Sequence, residues 1–133
     1  MRRLASLPAA LLFATLTLAS VFTSSTAAAD KKTELKPIYT TKETAEFQTL
    51  TKATLEALNA GKTTEVVEKL TDLETAWDAK EKDLKPRSEK TWVVIDKTLD
   101  QAISALRSSK KDPAKGKAAL EELVKQLEQA TKP

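Results

Sequence analysis

Apolar residues in the middle of the chain recur with the period of an α-helix that buries one face. This stripe predicts a helix over residues 64–84, and Lys80 is its single polar member. The stripe advances by alternating steps of four and three residues: Val66, Leu70, Leu73, Trp77, Lys80 and Leu84. Such a helix is stable only when other elements cover its apolar face, so the chain is expected to fold as packed helices. Pro86 ends the segment and disfavours helical backbone at Lys85.

The first helix is predicted over residues 41–60 from signals at both ends. Thr40 and Glu43 have the spacing of a capping box, and Gly61 occupies the position where a glycine often closes a helix. Its predicted inner face includes two threonines: Phe47, Leu50, Thr51, Thr54, Leu55 and Leu58. This face is therefore less apolar than that of the second helix.

Two more helices are predicted toward the carboxyl end. The third covers residues 89–108 behind Ser88 as its N-cap, and the fourth begins with Asp112 as N-cap and Pro113 in the first helical position. Short connections make neighbouring helices antiparallel. The predicted fold is all-α, an up-down-up-down antiparallel four-helix bundle over residues 41–133. Its predicted core comes mainly from the last three helices: Leu70, Leu73, Trp77, Trp92, Ile95, Asp96, Leu99, Leu120, Leu123 and Leu127.

Similar spacings in two parts of the chain leave a second description of these helices open. The segments Leu70–Trp77 and Leu120–Leu127 each carry two leucines three residues apart, followed four residues later by a large apolar residue. An internal duplication of this kind would make the domain two tandem helical hairpins.

The amino terminus has the three parts of a secretory signal peptide. Two arginines precede 19 uncharged residues, Leu4–Phe22, and Ala27 and Ala29 occupy the small-residue positions of a cleavage site. We therefore expect residues 1–29 to be removed and the protein to be exported, either periplasmic or secreted. The alternative is an uncleaved membrane anchor, because roughly 20 apolar residues are enough to span a bilayer.

A polar link is predicted between the signal peptide and the bundle. Residues 30–40 are mostly polar and contain Pro37. Ile38 and Tyr39 are the exceptions, and we expect them to pack on the end of the bundle.

The composition excludes most kinds of active site. The chain has no Cys, no His and no Met other than Met1, so the usual nucleophiles, transition-metal ligands and haem ligands are missing. Without the two signal arginines, 20 of the 22 basic residues remain against 19 acidic ones, and this net charge of +1 gives no steering toward nucleic acid. We predict no catalysis, no cofactor and no bound metal. A Ca²⁺ or Mg²⁺ site needs several convergent oxygens, and no such site is predicted here. The carboxylates that come closest to one lie at similar heights on the second and third predicted helices: Glu74, Asp78, Asp96 and Asp100.

The spacing around the two tryptophans resembles that of small exported helical-bundle proteins of uncharacterised function. The shared order is Leu73-x-x-x-Trp77-Asp78, then Leu84, then Trp92-x-x-Ile95-Asp96-x-x-Leu99. This resemblance implies an exported helical protein and no particular activity. A signal peptide before four short helices also resembles the periplasmic four-helix cytochromes. Those proteins use an axial Met and His, or a His within a C-x-x-C-H motif, so the resemblance here implies architecture without haem.

The turn after the second helix sets a register between the second and third helices. With its centre between Pro86 and Arg87, antiparallel packing places Trp77 level with Asp96. A buried indole N–H needs an acceptor, and a partly buried carboxylate needs a donor. We predict that Asp96 accepts a hydrogen bond from Trp77 Nε1 or pairs with Lys80.

Cationic residues gather where the first and last turns of the predicted bundle lie. They face only two nearby carboxylates, Glu65 and Asp112. One interpretation is that these cations end helices and solvate loops. The other is that they bind an anionic envelope component, such as lipid headgroups or a phosphorylated glycan. The candidate interaction residues are Lys62, Arg107, Lys110, Lys111, Lys115 and Lys117.

Two functions are compatible with these observations. The first is a non-catalytic exported protein that binds another macromolecule, either an unknown protein or an anionic envelope component. The second is a small-ligand carrier, with a pocket between helices where threonines and Gly116 leave the core thin. A crevice lined by Thr51, Thr54 and Trp77 would favour the carrier, whereas a tight core with an exposed apolar face would favour the first function. Membrane contact is expected only through the basic end or an uncleaved signal peptide.

Overall fold

A computed structural model describes residues 36–133, and the regular structure in that range is helical, without strands. This confirms the predicted all-α class for the described residues. The predicted signal peptide, residues 1–29, and residues 30–35 of the predicted link lie outside them. In the described part of the chain, no helix is both long enough and apolar enough to cross a bilayer. In chain order, the helices are α1 Thr41–Asn59, α2 Thr63–Ala79, α3 Glu81–Leu84, a 3₁₀ turn Lys85–Arg87, α4 Glu89–Arg107 and α5 Pro113–Ala130.

Both ends of α1 are closed by the local interactions that the sequence predicts. Glu43 N donates to Thr40 Oγ1 at 3.2 Å, and Thr40 N donates to Glu43 Oε2 at 2.7 Å, which completes the capping box. At the other end, Gly61 has φ +71°, and Lys62 N donates to Ala57 O at 2.9 Å. Glycine adopts this left-handed backbone at little cost, so it can turn the chain from α1 toward α2.

The two C-terminal helices also begin with the predicted caps, but α2 does not. Thr91 N donates to Ser88 Oγ at 3.3 Å at the start of α4, and Lys115 N donates to Asp112 Oδ1 at 3.0 Å at the start of α5. The N-cap position of α2 is Lys62, and its side chain makes no capping hydrogen bond. The first amide groups of α2 therefore have no side-chain cap.

The predicted second helix is wrong at its C-terminal end, because α2 stops at Ala79. Lys80 has φ −98° and ψ −1°, and its side chain is exposed instead of facing inward. The break keeps its ammonium group in water, which avoids the cost of burying an unpaired charge. α3 then returns Leu84 to the core. Lys85 is helical, with φ −59° and ψ −43°, contrary to the prediction, since the chain passes Pro86 in a 3₁₀ turn.

The buried apolar side chains divide into two clusters, and Ile103 packs against both of them. Nine of the ten predicted core residues are buried in these clusters, and Asp96 is half-buried. The aromatic cluster consists of Tyr39, Phe47, Leu73, Trp77, Leu84, Trp92, Ile95, Leu99, Leu123, Leu127 and Ala130. The alanine cluster consists of Ala57, Val66, Leu70, Ala102, Ala105, Leu106, Ala119 and Leu120.

On α1 the fully buried positions include threonines, whereas the leucines of its predicted inner face are only half-buried. Thr51 Oγ1 donates to Phe47 O at 2.6 Å, and Thr54 Oγ1 donates to Leu50 O at 2.7 Å. A hydroxyl bonded to the preceding turn has a partner, so it can be buried without leaving a donor unsatisfied. The half-buried leucines are Leu50, Leu55 and Leu58.

The helices pack as neighbours along the chain and across it. α1 packs against both α2 and α5, and α5 packs against α4. α2 and α4 meet through two indoles, since Trp77 stacks on Trp92 with ring centroids 3.9 Å apart and planes 9° apart. The ring of Phe47 from α1 meets Trp77 edge-on, with centroids 5.1 Å apart. The aromatic cluster therefore joins three helices through rings in contact.

The predicted polar link ends earlier than its assigned boundary at residue 40. Tyr39 has 0% of its surface exposed, and its amide donates to Ala130 O at 3.0 Å. Ile38 remains 37% exposed beside it. Tyr39 is thus part of the packed domain, because its ring completes the aromatic cluster.

Candidate functional site: a lysine-rich end with an apolar cavity

Two turns of the chain meet at one end of the molecule and line a partly open cavity of about 140 Å³. The α1–α2 turn contributes Gly61 and Thr63, and the α4–α5 turn contributes Lys111 and Pro113. This contact agrees with the expectation that the first and last turns lie together. Apolar side chains from α1, α2 and α4 form the remaining wall: Leu58, Val66 and Leu106.

Two of the six candidate cations are already paired with carboxylates. Lys62 Nζ lies 3.0 Å from Glu65 Oε2 on the surface. Arg107 is directed toward α2, where its guanidinium contacts Glu74 Oε2 at 2.6 Å and Thr71 Oγ1 at 2.7 Å. The assignment of Arg107 to a free basic surface is therefore corrected: this side chain joins α4 to α2.

The other four candidate cations are exposed, and one of them, Lys111, lines the cavity. Lys110 and Lys111 lie in the α4–α5 turn, and Lys115 and Lys117 lie in the first turns of α5 on either side of Gly116. Within residues 36–133, none of these four lysines forms an ion pair. We call these four residues the lysine end; they are Lys110, Lys111, Lys115 and Lys117.

Two helix N-termini add positive potential at the same place. α2 begins beside the cavity at Thr63 without a side-chain cap. α5 begins there at Pro113, and its first turn contains no acidic residue besides the cap Asp112. Because the N-terminus of a helix carries a partial positive charge and free amide groups, the uncapped end of α2 favours an anion at the cavity. At α5, the Asp112 carboxylate already accepts from Lys115 N and offsets part of the positive charge.

Gly116 is a point of close contact between α4 and α5 beside the cavity. A methyl group at position 116 would collide with the side chain of Leu106. The absence of a side chain therefore lets Leu106 lie directly on the backbone of α5. The expected thin core at Gly116 is filled by this leucine, and the open space lies on its other side, toward Val66.

The crevice that would favour a small-ligand carrier does not form at the predicted position. Thr51 and Thr54 are 0% exposed, and Trp77 is 1% exposed. Both hydroxyls bond to their own helix, and the indole is covered by Phe47 and Trp92. This part of the core has no space for a ligand, whereas the cavity near Val66 does.

The predicted contact between the tryptophan and the carboxylate is confirmed. Trp77 Nε1 donates to Asp96 Oδ1 at 3.1 Å. Lys80, the alternative partner, is exposed beyond the end of α2. The bond satisfies the indole of a nearly buried ring, so Asp96 has a structural role.

The carboxylates of α2 and α4 lie close enough to affect one another. Partial burial raises the pKa of Asp100 above its ordinary value, and the charges of Asp96, Glu74 and Asp78 raise it further. Among the residues that the structure describes, no group of three or more acidic residues is arranged to hold a metal ion. Two of these carboxylates have other partners. Arg107 forms an ion pair with Glu74, and Trp77 donates a hydrogen bond to Asp96.

An arginine latch at the opposite end was not anticipated from the sequence. Arg87 Nη1 lies 2.6 Å from Glu43 Oε1, its Nη2 donates to Ile38 O, and its guanidinium lies 5.6 Å above the Tyr39 ring. Hydrogen bonds from Thr40 N and then from Arg87 lower the pKa of Glu43 to about 2. These interactions hold the segment before α1, at Ile38 and Tyr39, against the turn that precedes α4.

A groove with both apolar and polar walls near the Arg87 interactions was also not predicted. It has a volume of about 400 Å³ and lies between the start of α4 and the end of α5, where Ile38, Val94 and Ile95 contribute to its walls. Val93 and Val94 are 49% and 46% exposed. The signal in the sequence was the run Val93-Val94-Ile95, which contains more apolar residues than one inward stripe requires.

Comparisons of this chain with protein-family models, with curated proteins and with solved structures find no match.

Proposed function

We propose that this chain is an exported, non-catalytic protein that binds an anionic component of the cell envelope through its lysine end. The observation that carries the proposal is the convergence of Lys110, Lys111, Lys115 and Lys117 with the N-termini of α2 and α5. Exposed lysines attract an anionic surface, and helix N-termini favour negatively charged groups. The nearby carboxylates Glu65 and Asp112 are already engaged, one with Lys62 and one as a helix cap.

The architecture that would present this surface is an up-down-up-down antiparallel four-helix bundle. Support comes from the short connections, from the pairing of Trp77 with Asp96, and from the meeting of the α1–α2 and α4–α5 turns at one cavity. A description as two tandem hairpins, α1–α2 and α4–α5, is compatible with the same contacts.

Binding to vesicles tests the proposed surface. The purified exported protein should sediment with vesicles of equal parts phosphatidylglycerol and phosphatidylcholine, but not with pure phosphatidylcholine, and salt should weaken the binding. Replacement of all four lysines of the lysine end by Gln should lower the binding at least about tenfold, since each lysine near such a surface contributes about 1 kcal/mol.

A matched control separates this surface from general charge. Gln at four exposed lysines elsewhere removes the same charge: Lys42, Lys52, Lys90 and Lys97. This control variant should bind the anionic vesicles nearly as well as the original protein. Equal losses in the two variants would mean that total charge alone drives the binding, and the proposal would be rejected.

Export is tested separately by the start of the mature chain. The protein recovered from outside the cytoplasm should begin at Asp30, because Ala27 and Ala29 fit a cleavage site. N-terminal sequencing that finds Met1 retained would support a membrane anchor instead.

The second candidate function is a small-ligand carrier. The predicted crevice at Thr51 and Thr54 is filled, and support now comes from the cavity at the lysine end, which is apolar within and cationic at its edge. A carrier would bind a soluble ligand there whether or not the protein binds vesicles.

A further inference from the structure

We infer that the cavity at the lysine end is a binding site for an amphiphilic anion, with a short apolar group inside and a carboxylate or phosphate at the mouth. This inference deepens the proposed function and rests on it, because it names the chemical group that the lysine end recognises.

The inner part of the site fits an apolar group of about six carbon atoms. Its walls are the side chains of Leu58, Val66, Leu106 and Pro113, and its volume is about 140 Å³. An apolar cavity of about 150 Å³ stays dry and can hold a benzene molecule. Filling such a space with an apolar group restores dispersion contacts that its walls otherwise lack.

The mouth of the site fits an anion. The N-terminus of α2 has no side-chain cap. Thr63 N already donates to Gly61 O at 3.1 Å, so the donors that an anion could use are the next amide groups of the first turn. The exposed Lys111 borders the cavity and forms no ion pair with another residue of the 36–133 range. Pro113 places the start of α5 beside it, where the Asp112 carboxylate already caps Lys115 N. A single negative group at this point would therefore meet the uncapped N-terminus of α2 and the ammonium group of Lys111.

Three probes with the same alkyl chain test both halves of the site. Hexanoate, pentanol and pentylammonium share a pentyl chain and differ in the charge of the polar group. With the isotope-labelled exported protein, we expect hexanoate to give saturable amide shifts at Gly61, Val66 and Lys111. Pentanol should bind about two- to fivefold more weakly, as expected for one exposed ion pair, and pentylammonium should bind most weakly.

Variants of the cavity separate the apolar contact from the charge. Val66→Phe fills the cavity and should weaken hexanoate binding at least about tenfold; Thr63→Leu, at an exposed position of the rim, serves if Val66→Phe overpacks the core. Lys111→Gln should leave pentanol binding unchanged and reduce the preference for hexanoate, and the N-terminus of α2 should account for the preference that remains. The matched control is Val124→Phe, which adds the same ring at a half-buried valine beside a different groove, between α1 and α5.

Two results would overturn the inference. Equal binding of the three probes would show an apolar void without preference for anions. If the hexanoate shifts persist in both Val66→Phe and Thr63→Leu, hexanoate binds to the exposed lysines and not in the cavity. Binding of the protein to anionic vesicles would still support the proposed function in that case. Conversely, hexanoate binding without vesicle binding would reject the proposed function while retaining the site.

The source of the ligand follows from one more arm of the experiment. If Val66→Phe weakens both hexanoate and phosphatidylglycerol vesicle binding, the apolar group is the acyl chain of a lipid. If it weakens only hexanoate binding, the ligand is a soluble amphiphile. Both results support the same chemistry at the cavity.

Discussion

The aromatic cluster and the alanine cluster both fill the space between packed helices, but with side chains of different size. In the aromatic cluster, Phe47, Trp77 and Trp92 touch through their rings and fill the space between three helices. In the alanine cluster, small side chains form half of the buried set: Ala57, Ala102, Ala105 and Ala119. The cavity of about 140 Å³ adjoins the alanine cluster, with Val66 and Leu106 in its walls. Large rings exclude voids, whereas small side chains leave room that a ligand can occupy.

We expect the two clusters to differ in what they contribute, one to stability and the other to ligand binding. At the end of the domain that holds the aromatic cluster, the Trp77–Asp96 hydrogen bond and the interactions of Arg87 connect separate segments. The cavity end carries exposed lysines without ion pairs among the described residues. We therefore expect substitutions at the aromatic end to act mainly on unfolding, and substitutions at the cavity end to act mainly on ligand binding.

The largest effect is expected for Trp77→Ala. Truncation of a buried aromatic residue costs about 3–5 kcal/mol of unfolding free energy, and this ring is 1% exposed and contacts two others. Urea unfolding followed by circular dichroism measures the loss. Leu70→Ala in the alanine cluster is the comparison, and it should cost less. If Leu70→Ala is the more damaging variant, the aromatic cluster is not the main source of stability.

The next effect is expected for Asp96→Ala, at about 1–3 kcal/mol, because it leaves the buried indole N–H of Trp77 without an acceptor. Asp96→Asn keeps an oxygen at this position and should lose less. The same urea titration applies to both variants. If Asp96→Ala unfolds at the same urea concentration as the original protein, water replaces the carboxylate as the acceptor, and the Trp77–Asp96 hydrogen bond does not contribute to stability.

A smaller effect, with a change of sign, is expected for Gly116→Ala. Alanine favours a helix by about 1 kcal/mol over glycine, but overpacking costs about 1–3 kcal/mol, and the new methyl group would collide with Leu106. Gly116→Ala should therefore destabilise the original protein slightly and stabilise a Leu106→Ala variant. Unfolding measurements on the four combinations test this. Destabilisation in both backgrounds would show that Leu106 is not the obstacle.

The smallest effect is expected in acid. Glu43 has its pKa lowered from 4.5 to about 2 in the folded chain, so the folded state holds this carboxylate ionised where the unfolded chain begins to protonate it. Its contribution is complete above the ordinary pKa and is lost as the pH falls toward 2. Because 36% of this side chain is exposed, the contribution should stay below about 1 kcal/mol. Glu43→Gln should lose less stability than the original protein across this interval in urea titrations; an identical acid loss would assign the sensitivity to other carboxylates.

Several features of the fold were predictable because neighbouring residues in the chain determine them. The capping box of Thr40 with Glu43, the cap at Asp112 and the positive φ of Gly61 depend on hydrogen bonds and backbone geometry within a few residues. The pairing of Trp77 with Asp96 was also predicted, by counting equal numbers of residues from the turn at Pro86. It is kept despite the break at Lys80, because α3 and the 3₁₀ turn keep the chain nearly helical up to that turn.

Other features depended on contacts between distant parts of the chain. The exposure of Lys80, the turn of Arg107 toward Glu74 and the burial of Tyr39 follow from which neighbour is available across the domain. The spacing of residues along the chain does not determine these features. A long side chain with both apolar and polar parts can be exposed, paired or buried, depending on which neighbour the tertiary packing places beside it.

The candidate site shows the same division between sequence and tertiary structure. By itself, the sequence determined the helical class, the caps, most of the buried stripe and the concentration of lysines near two turns. Only the tertiary structure decided that Leu106 lies on Gly116 and that a cavity opens between Val66 and Lys111. The physical reason is that a void is set by the shapes of side chains from three helices at once, whereas a helix end is set by a few adjacent residues.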